Sequence, residues 1–266
     1  MTPQELAEMR AGIEAWAGLV SLSVPIAQVH DVTLLPGLGA RVYHPEGADD
    51  AALVWFHGGG YVAGTLDAID ATCRWLARRM GSTVISVDYR LAPEHPFPAA
   101  LDDALAAISA VAARPGIGRI AIGGDSAGGG LAAAAAGLTG VPLSGLLLLC
   151  PWLDLTVRPT EVDSELTLEA LQSFADFYVG PGGDVTDPRV SPLLAAEPPD
   201  TPTVIVAAEQ DSLGYQAVEY AERLPQVELR VWPFDHGFIG STKDLPEAGE
   251  ALDWAADQLH RLLDRN

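Results

Sequence analysis

The chain has 266 residues, of which 48% are hydrophobic and 19% charged, a composition that supports a buried core and argues against disorder. No apolar run approaches the roughly 20 residues of a membrane span, which excludes a membrane-spanning protein. The formal charge of −21 repels phosphate backbones and anionic lipid surfaces, so we expect neither nucleic-acid nor membrane partners.

The N-terminal residues favour a cytoplasmic location. Residues 1–5 are acidic rather than basic and lead into a helical pattern, unlike a secretory signal. Cys73 and Cys150 lie far apart and lack the spacing of metal ligands, so we expect two buried free thiols.

The order of predicted strands and helices indicates one α/β domain over residues 1–266. An apolar stripe at helical spacing opens the chain at Leu6, Met9, Ile13, Trp16 and Val20. Runs rich in β-branched residues then predict eight strands, near 29–34, 40–44, 52–57, 83–88, 119–123, 144–150, 203–208 and 227–232. Helical patterns follow the third and later strands, at about 67–80, 99–113, 127–138, 165–179, 213–224 and 246–264.

This alternation is typical of a mostly parallel sheet covered by helices on both faces. The runs 52–56 and 146–149 are continuously apolar, as central strands are. The first two strands have no helix between them, which predicts an antiparallel edge. Residues 155–200 form a long, proline-rich excursion with one helix and are expected to form an inserted lid.

The candidate nucleophile is Ser126, within Gly124-Asp125-Ser126-Ala127-Gly128 between a strand and a helix. Glycine two residues to either side of the serine lets strand and helix approach, while the serine takes a strained conformation that exposes its hydroxyl. The alternative is a glycine-rich loop that binds phosphate or only packs tightly.

A second glycine-rich segment, His57-Gly58-Gly59-Gly60, ends the third strand at the edge where α/β folds bind ligands. The N–H groups of Gly58 and Gly59, together with that of Ala127, are predicted to converge on one oxygen and form an oxyanion hole. For His57 we favour a structural role that holds the shape of this loop.

The serine needs a base, and His236 is favoured because it follows the last strand in a loop that reaches over the sheet edge. The acid should lie between serine and histidine in the chain, which favours Asp211 after the seventh strand, with Glu209 as the alternative. Asp235, next to His236, is expected to face solvent.

With these residues in place, the sequence resembles the hormone-sensitive-lipase family of α/β-hydrolases, a group that includes bacterial carboxylesterases. The resemblance extends over most of the chain after residue 50. Besides the two glycine motifs, it rests on Val87-Asp88-Tyr89-Arg90-Leu91-Ala92-Pro93-Glu94, Pro96-Phe97-Pro98-Ala99-Ala100, Pro151-Trp152-Leu153-Asp154-Leu155 and Asp187-Pro188-Arg189-Val190-Ser191-Pro192.

The resemblance implies a helical cap over the acyl pocket, built from about 1–28 and 155–200. Two departures from the family pattern stand out. Only 56 residues precede His57, so a reduced cap is expected. After Asp211 the chain has Ser212-Leu213-Gly214-Tyr215 where the family commonly has proline, leucine, arginine and aspartate.

These features predict a serine carboxylesterase that acts on small, short-chain esters through an acyl-enzyme, with no metal or organic cofactor. A lactone hydrolase, an amidase or an acyltransferase would use the same residues. A non-catalytic small-molecule receptor is the alternative from another class, because the same fold can bind without reacting. A homodimer is compatible with the sequence.

Overall fold

The computed structural model describes residues 3–158, 160–162, 164 and 166–264. In these residues the strands are, in chain order, β1 Gln28–Leu35, β2 Leu38–His44, β3 Ala51–Phe56, β4 Thr83–Asp88, β5 Arg119–Asp125, β6 Gly145–Leu149, β7 Thr203–Ala208 and β8 Val227–Trp232. The helices are α1 Pro3–Val20, α2 Asp70–Met80, α3 Ala99–Ala112, α4 Ala127–Ala136, α5 Leu168–Val179, α6 Gly214–Arg223 and α7 Pro246–Leu263. Short 3₁₀ turns occupy Pro192–Leu194 and Phe238–Gly240.

The eight strands form one sheet in the order β1-β2-β4-β3-β5-β6-β7-β8. β2 pairs in antiparallel fashion with both β1 and β4, and every later neighbour pairs in parallel. The predicted eight-stranded, mostly parallel sheet with an antiparallel edge is confirmed.

Helices cover both faces of the sheet, which explains the continuous apolar runs of its central strands. α2 and α7 pack on one face, while α3, α4 and α6 pack on the other. β3, β6 and β7 are buried at every position. Burial of each leucine or valine in such a strand contributes roughly 1.5–3 kcal/mol to folding.

The carboxyl ends of β3, β5, β6, β7 and β8 lie at one edge of the sheet because these strands run in parallel. The loops that leave this edge carry the candidate residues. Parallel pairing is therefore what gathers side chains that stand up to 110 positions apart in the chain.

Parts of both predicted cap segments lie over this edge of the sheet, although residues 1, 2, 159, 163 and 165 of those segments fall outside the described structure. Arg10 fixes α1 to the core by donating to the carbonyl oxygens of Val62 (2.7 Å) and Ala92 (3.0 Å) and by an ion pair with Glu94. Among the described helices, none has the length and apolarity to cross a membrane. The division into one domain and its cap stays a prediction.

Candidate active site

Ser126 occupies a sharp turn between β5 and α4, with φ 52° and ψ −119°. This strained conformation is held by a hydrogen bond from the Ser126 N–H to the Leu149 carbonyl oxygen at 2.9 Å. The flanking glycines are required by close backbone contact. A Cβ on Gly124 would lie 2.3 Å from the backbone of Gly128, and one on Gly128 would lie 2.0 Å from the carbonyl oxygen of Phe56. The turn thus exposes the serine hydroxyl as the motif predicts.

Ser126, His236 and Asp211 form one chain of hydrogen bonds. Nε2 of His236 lies 2.9 Å from Oγ of Ser126, and Nδ1 lies 2.7 Å from Oδ2 of Asp211. The Asp211 side chain is almost completely buried, whereas the His236 side chain is 15% exposed. Because Nδ1–H donates to the carboxylate, Nε2 is left as an acceptor for the serine proton.

The unusual turn after Asp211 has a structural explanation. Oδ1 of Asp211 accepts a hydrogen bond from the Leu213 N–H at 2.8 Å, which leaves Oδ2 for the histidine. Ser212 donates its hydroxyl to the Leu166 carbonyl oxygen at 2.7 Å and so ties the turn to the lid. A Cβ on Gly214 would lie 2.4 Å from the Ala208 carbonyl oxygen. The departure from the family pattern therefore leaves the orientation of Asp211 intact.

The loop that carries His236 is fixed by its neighbour Asp235. Oδ1 of Asp235 accepts from the His236 N–H at 2.6 Å and from the hydroxyl of Ser164 at 2.6 Å. The expectation that Asp235 faces solvent is wrong, because this carboxylate accepts hydrogen bonds from the His236 N–H and from Ser164. Sequence reasoning missed the contact because Ser164 lies 71 positions away in the chain.

Three carboxylates determine the charge state of His236. Burial lowers the pKa of its imidazole, but the charge and the hydrogen bond of Asp211, with further attraction from Asp125 and Asp235, raise the pKa above its usual value. An imidazolium is therefore stabilised in this site. That is the charge state that a histidine base reaches when it has taken a proton from serine.

The glycine loop after β3 lies beside Ser126. Gly59 and Gly60 have φ values of 119° and 62°, in the left-handed region that favours glycine. The N–H of Ala127 is one of the first in α4, where helix geometry leaves it without an intrahelical partner. Gly58, in contrast, lies against the carboxylate of Asp125, since a Cβ on Gly58 would be 2.3 Å from Oδ2 of Asp125. The donor set of Gly58, Gly59 and Ala127 stays a prediction.

His57 has the surroundings of a structural residue. Its side chain is buried, its Nδ1–H donates to the Gly58 carbonyl oxygen at 2.8 Å, and its ring stacks on Tyr89 with centroids 4.4 Å apart. The hydroxyl of Tyr89 donates to the His57 carbonyl oxygen at 2.7 Å. Burial lowers the pKa of His57 and keeps the ring neutral. These contacts hold the loop and agree with the role expected for His57.

The remaining candidates lie outside this hydrogen-bonded chain. Glu209, the alternative acid, is exposed. The other histidines stand elsewhere, with His30 on β1, His44 bonded to Thr83, His95 exposed after β4 and His260 on α7. Both cysteines are buried and free, as predicted.

A cavity of about 370 Å³ opens at Ser126. The segment around α1 supplies one wall and the segment around α5 supplies the other, with these apolar residues prominent: Ile13, Trp16, Ala17, Leu166, Leu171 and Phe174. The ring of Phe174 lies so close to Gly60 that a Cβ there would approach it to 2.7 Å. The size and apolar lining suit a small organic ligand.

The sequence is similar to a known protein family and to several esterases. Residues 53–239 match the family model described as the α/β-hydrolase fold. Esterase LipI of Mycobacterium tuberculosis is 37% identical over 241 residues, which cover 80% of this chain and 75% of LipI. The ethyl acetate hydrolase of Pseudomonas putida is 38% identical over 253 residues, which cover 85% of this chain and 79% of that enzyme.

Solved structures agree with these sequence matches. A hyperthermophilic esterase of the archaeon Pyrobaculum calidifontis superposes with a TM-score of 0.89 at 33% identity, covering 97% of this chain and 93% of the esterase. The thermostable carboxylesterase EstE1, cloned from a metagenomic library, gives a TM-score of 0.88 at 33% identity, covering 99% of this chain and 98% of EstE1.

Proposed function

Because the chain belongs to the hormone-sensitive-lipase family of α/β-hydrolases and is a serine-dependent carboxylic ester hydrolase, we propose that Ser126, His236 and Asp211 are its catalytic triad. The supporting observation is the unbroken chain of hydrogen bonds from Oγ of Ser126 through His236 to Oδ2 of Asp211. None of the relatives named above supports a lactone hydrolase, an amidase, an acyltransferase or a receptor.

In the proposed mechanism, Nε2 of His236 removes the proton of Ser126 as Oγ attacks the ester carbonyl carbon. Asp211 holds the tautomer of His236 and stabilises the imidazolium. His236 then returns the proton to the departing alcohol. The same residue activates the water that releases the acid from Ser126, so no step requires a metal or an organic cofactor.

The proposed oxyanion donors are the N–H groups of Gly59, Gly60 and Ala127. We prefer Gly60 to Gly58 in this set because Gly58 lies against the carboxylate of Asp125. Ala127 adds the positive end of the α4 dipole to the same point. Such donors stabilise the developing negative charge, and each is worth roughly 3–4 kcal/mol in well-studied serine enzymes.

The proposed substrates are esters with short acyl chains, since Phe174 and Leu171 on α5 line the cavity at Ser126 and the ring of Phe174 lies against Gly60. We expect Phe174→Ala to raise kcat/KM for an octanoyl ester by about tenfold relative to the acetyl ester, because removing the ring lengthens the acyl pocket. A p-nitrophenyl ester series with constant alcohol measures this effect.

The matched control for this substitution is Trp16→Ala, which removes a half-exposed aromatic ring from the opposite wall. It should leave the ranking of acyl chains unchanged. An equal shift in acyl-chain preference in Phe174→Ala and Trp16→Ala would refute the assignment of the α5 wall to the acyl chain. A change only in preference for the alcohol would refute it as well.

A homodimer through β8 is also proposed. β8 ends the sheet and exposes Glu228 and Arg230. Antiparallel pairing of two copies about Leu229 would place Glu228 of each copy opposite Arg230 of the other. An unpaired edge strand with complementary charges favours such pairing.

Sedimentation velocity tests this dimer through charge reversal. Glu228→Arg creates two like-charge pairs across the two-fold axis and should raise the dimer dissociation constant by about tenfold. The double variant Glu228→Arg, Arg230→Glu restores opposite charges and should restore the dimer. A double variant as weak as the single one would contradict this pairing. A cytoplasmic location and the lack of nucleic-acid partners stay predictions from composition.

A further inference from the structure

The residue before the nucleophile, Asp125, is directed under the glycine loop. A Cβ on Gly58 would lie 2.3 Å from Oδ2 of Asp125 and 3.2 Å from both its Cγ and its carbonyl oxygen. A side chain at position 58 would therefore displace this carboxylate. The Gly58 N–H also lowers the pKa of this carboxyl. Gly58 is therefore held against Asp125 by both packing and charge.

This carboxylate lies in an unusual environment for an acid. Burial raises the pKa of Asp125 to about 6, although the Gly58 N–H and the nearby Trp55 indole lower it. Among the described residues, Oδ1 of Asp125 and Nε1 of Trp55 are buried without a hydrogen-bond partner. The charge of Asp125 raises the pKa of four titratable side chains, Cys73, Tyr89, Cys150 and His236. His236 is the member of this set that can carry a positive charge.

A buried carboxylate that lacks a permanent cationic partner destabilises the fold unless another contact offsets its desolvation. A hydrophobic or amide side chain of similar size would fill the same space without this cost. The two groups that gain from the charge are the Gly58 N–H and His236. Both belong to, or directly adjoin, the proposed catalytic groups.

We propose that Asp125 is a positioning residue whose carboxylate anchors Gly58, so that Gly59 and Gly60 present their N–H groups to the oxyanion, and whose negative charge supports the imidazolium of His236. This inference rests on the proposed triad. Asp125 acts through the loop and through His236 and does not itself react with the ester.

The variants Asp125→Asn and Asp125→Ala separate charge from anchoring. Asparagine keeps the shape and a carbonyl oxygen for the Gly58 N–H but removes the negative charge, whereas alanine removes both. The exposed Asp200, at the amino end of β7 and thus opposite the site, supplies the charge control Asp200→Asn.

The pH profile of kcat/KM reports the effect of the charge. The negative charge of Asp125 favours protonated His236, so its removal lowers the pKa of His236 and keeps the base neutral to lower pH. We expect Asp125→Asn to retain at pH 6.5, where a carboxyl with a pKa of about 6 is mostly ionised, a fraction of its pH 8 activity that is about twice the wild-type fraction. Asp200→Asn should show the wild-type profile.

The anchoring role predicts a separate loss in kcat. Asp125→Ala should lower kcat at pH 8 about tenfold below that of Asp125→Asn, with KM within about twofold, because displaced donors weaken transition-state binding rather than substrate binding. Thermal unfolding of each variant shows whether the loss reflects fewer folded molecules.

Two outcomes would overturn the proposal. One is a wild-type pH profile and kcat in both variants, and the other is a loss of activity that matches the loss of folded protein in each. If the alanine variant does not fold, the pH profile of Asp125→Asn decides alone. Labelling of wild-type Ser126 by an organophosphate tests the triad separately, so failure of this inference and failure of the proposed function are distinguishable.

Discussion

Replacement of Ser126 by alanine lowers kcat for a short-chain p-nitrophenyl ester by about a millionfold, the loss expected when a serine enzyme loses its nucleophile. Oγ of Ser126 is the atom that lies 2.9 Å from Nε2 of His236, and no other hydroxyl replaces it in that hydrogen bond among the described contacts. Initial rates under saturating substrate measure this loss.

The control for Ser126→Ala is Ser109→Ala, which alters an exposed hydroxyl on α3 that donates to the Leu105 carbonyl oxygen. Both variants should unfold at the wild-type temperature, and Ser109→Ala should keep full activity. Turnover of purified Ser126→Ala above about one thousandth of wild type would contradict the assignment of the nucleophile.

Replacement of Asp211 by asparagine should lower kcat by about 10⁴-fold, as the equivalent change does in other serine hydrolases. The amide can donate to Nδ1 of His236, which moves the imidazole proton to Nε2 and removes the acceptor that faces Ser126. Asparagine keeps an oxygen for the Leu213 N–H at 2.8 Å, so the turn after β7 should persist.

Glu209→Gln is the matched control for Asp211→Asn. Glu209 was the alternative acid from the sequence and is exposed two positions away. The Glu209→Gln variant should retain the wild-type kcat. Loss of activity in Glu209→Gln with retention in Asp211→Asn would reverse the assignment of the acid.

The sheet could be predicted almost completely from the sequence because its signals are local. The burial of β3 and β6 on both sides appears directly as uninterrupted apolar runs. Helix starts were less accurate. α2 begins at Asp70 rather than near 67, because the Thr65 hydroxyl accepts from the Ala68 N–H and closes a turn there. α5 begins at Leu168, where Thr167 caps the Ala170 N–H.

The candidate triad could be identified from chain order because parallel strands deliver their loops to one edge. The contacts that complete the site could not, because they join distant segments. The bond from Ser212 to Leu166 and that from Ser164 to Asp235 depend on how the lid folds back. The close approach of Gly58 to Asp125 joins residues that are 67 positions apart. No local pattern encodes these approaches.

The most direct measurement of the central claim is mass spectrometry of the protein after reaction with diethyl p-nitrophenyl phosphate. We expect one diethylphosphoryl group per chain on the peptide that contains Ser126, loss of esterase activity in step with labelling, and no adduct in Ser126→Ala. Full inactivation with the adduct on another residue, or undiminished esterase activity in fully labelled protein, would contradict the account.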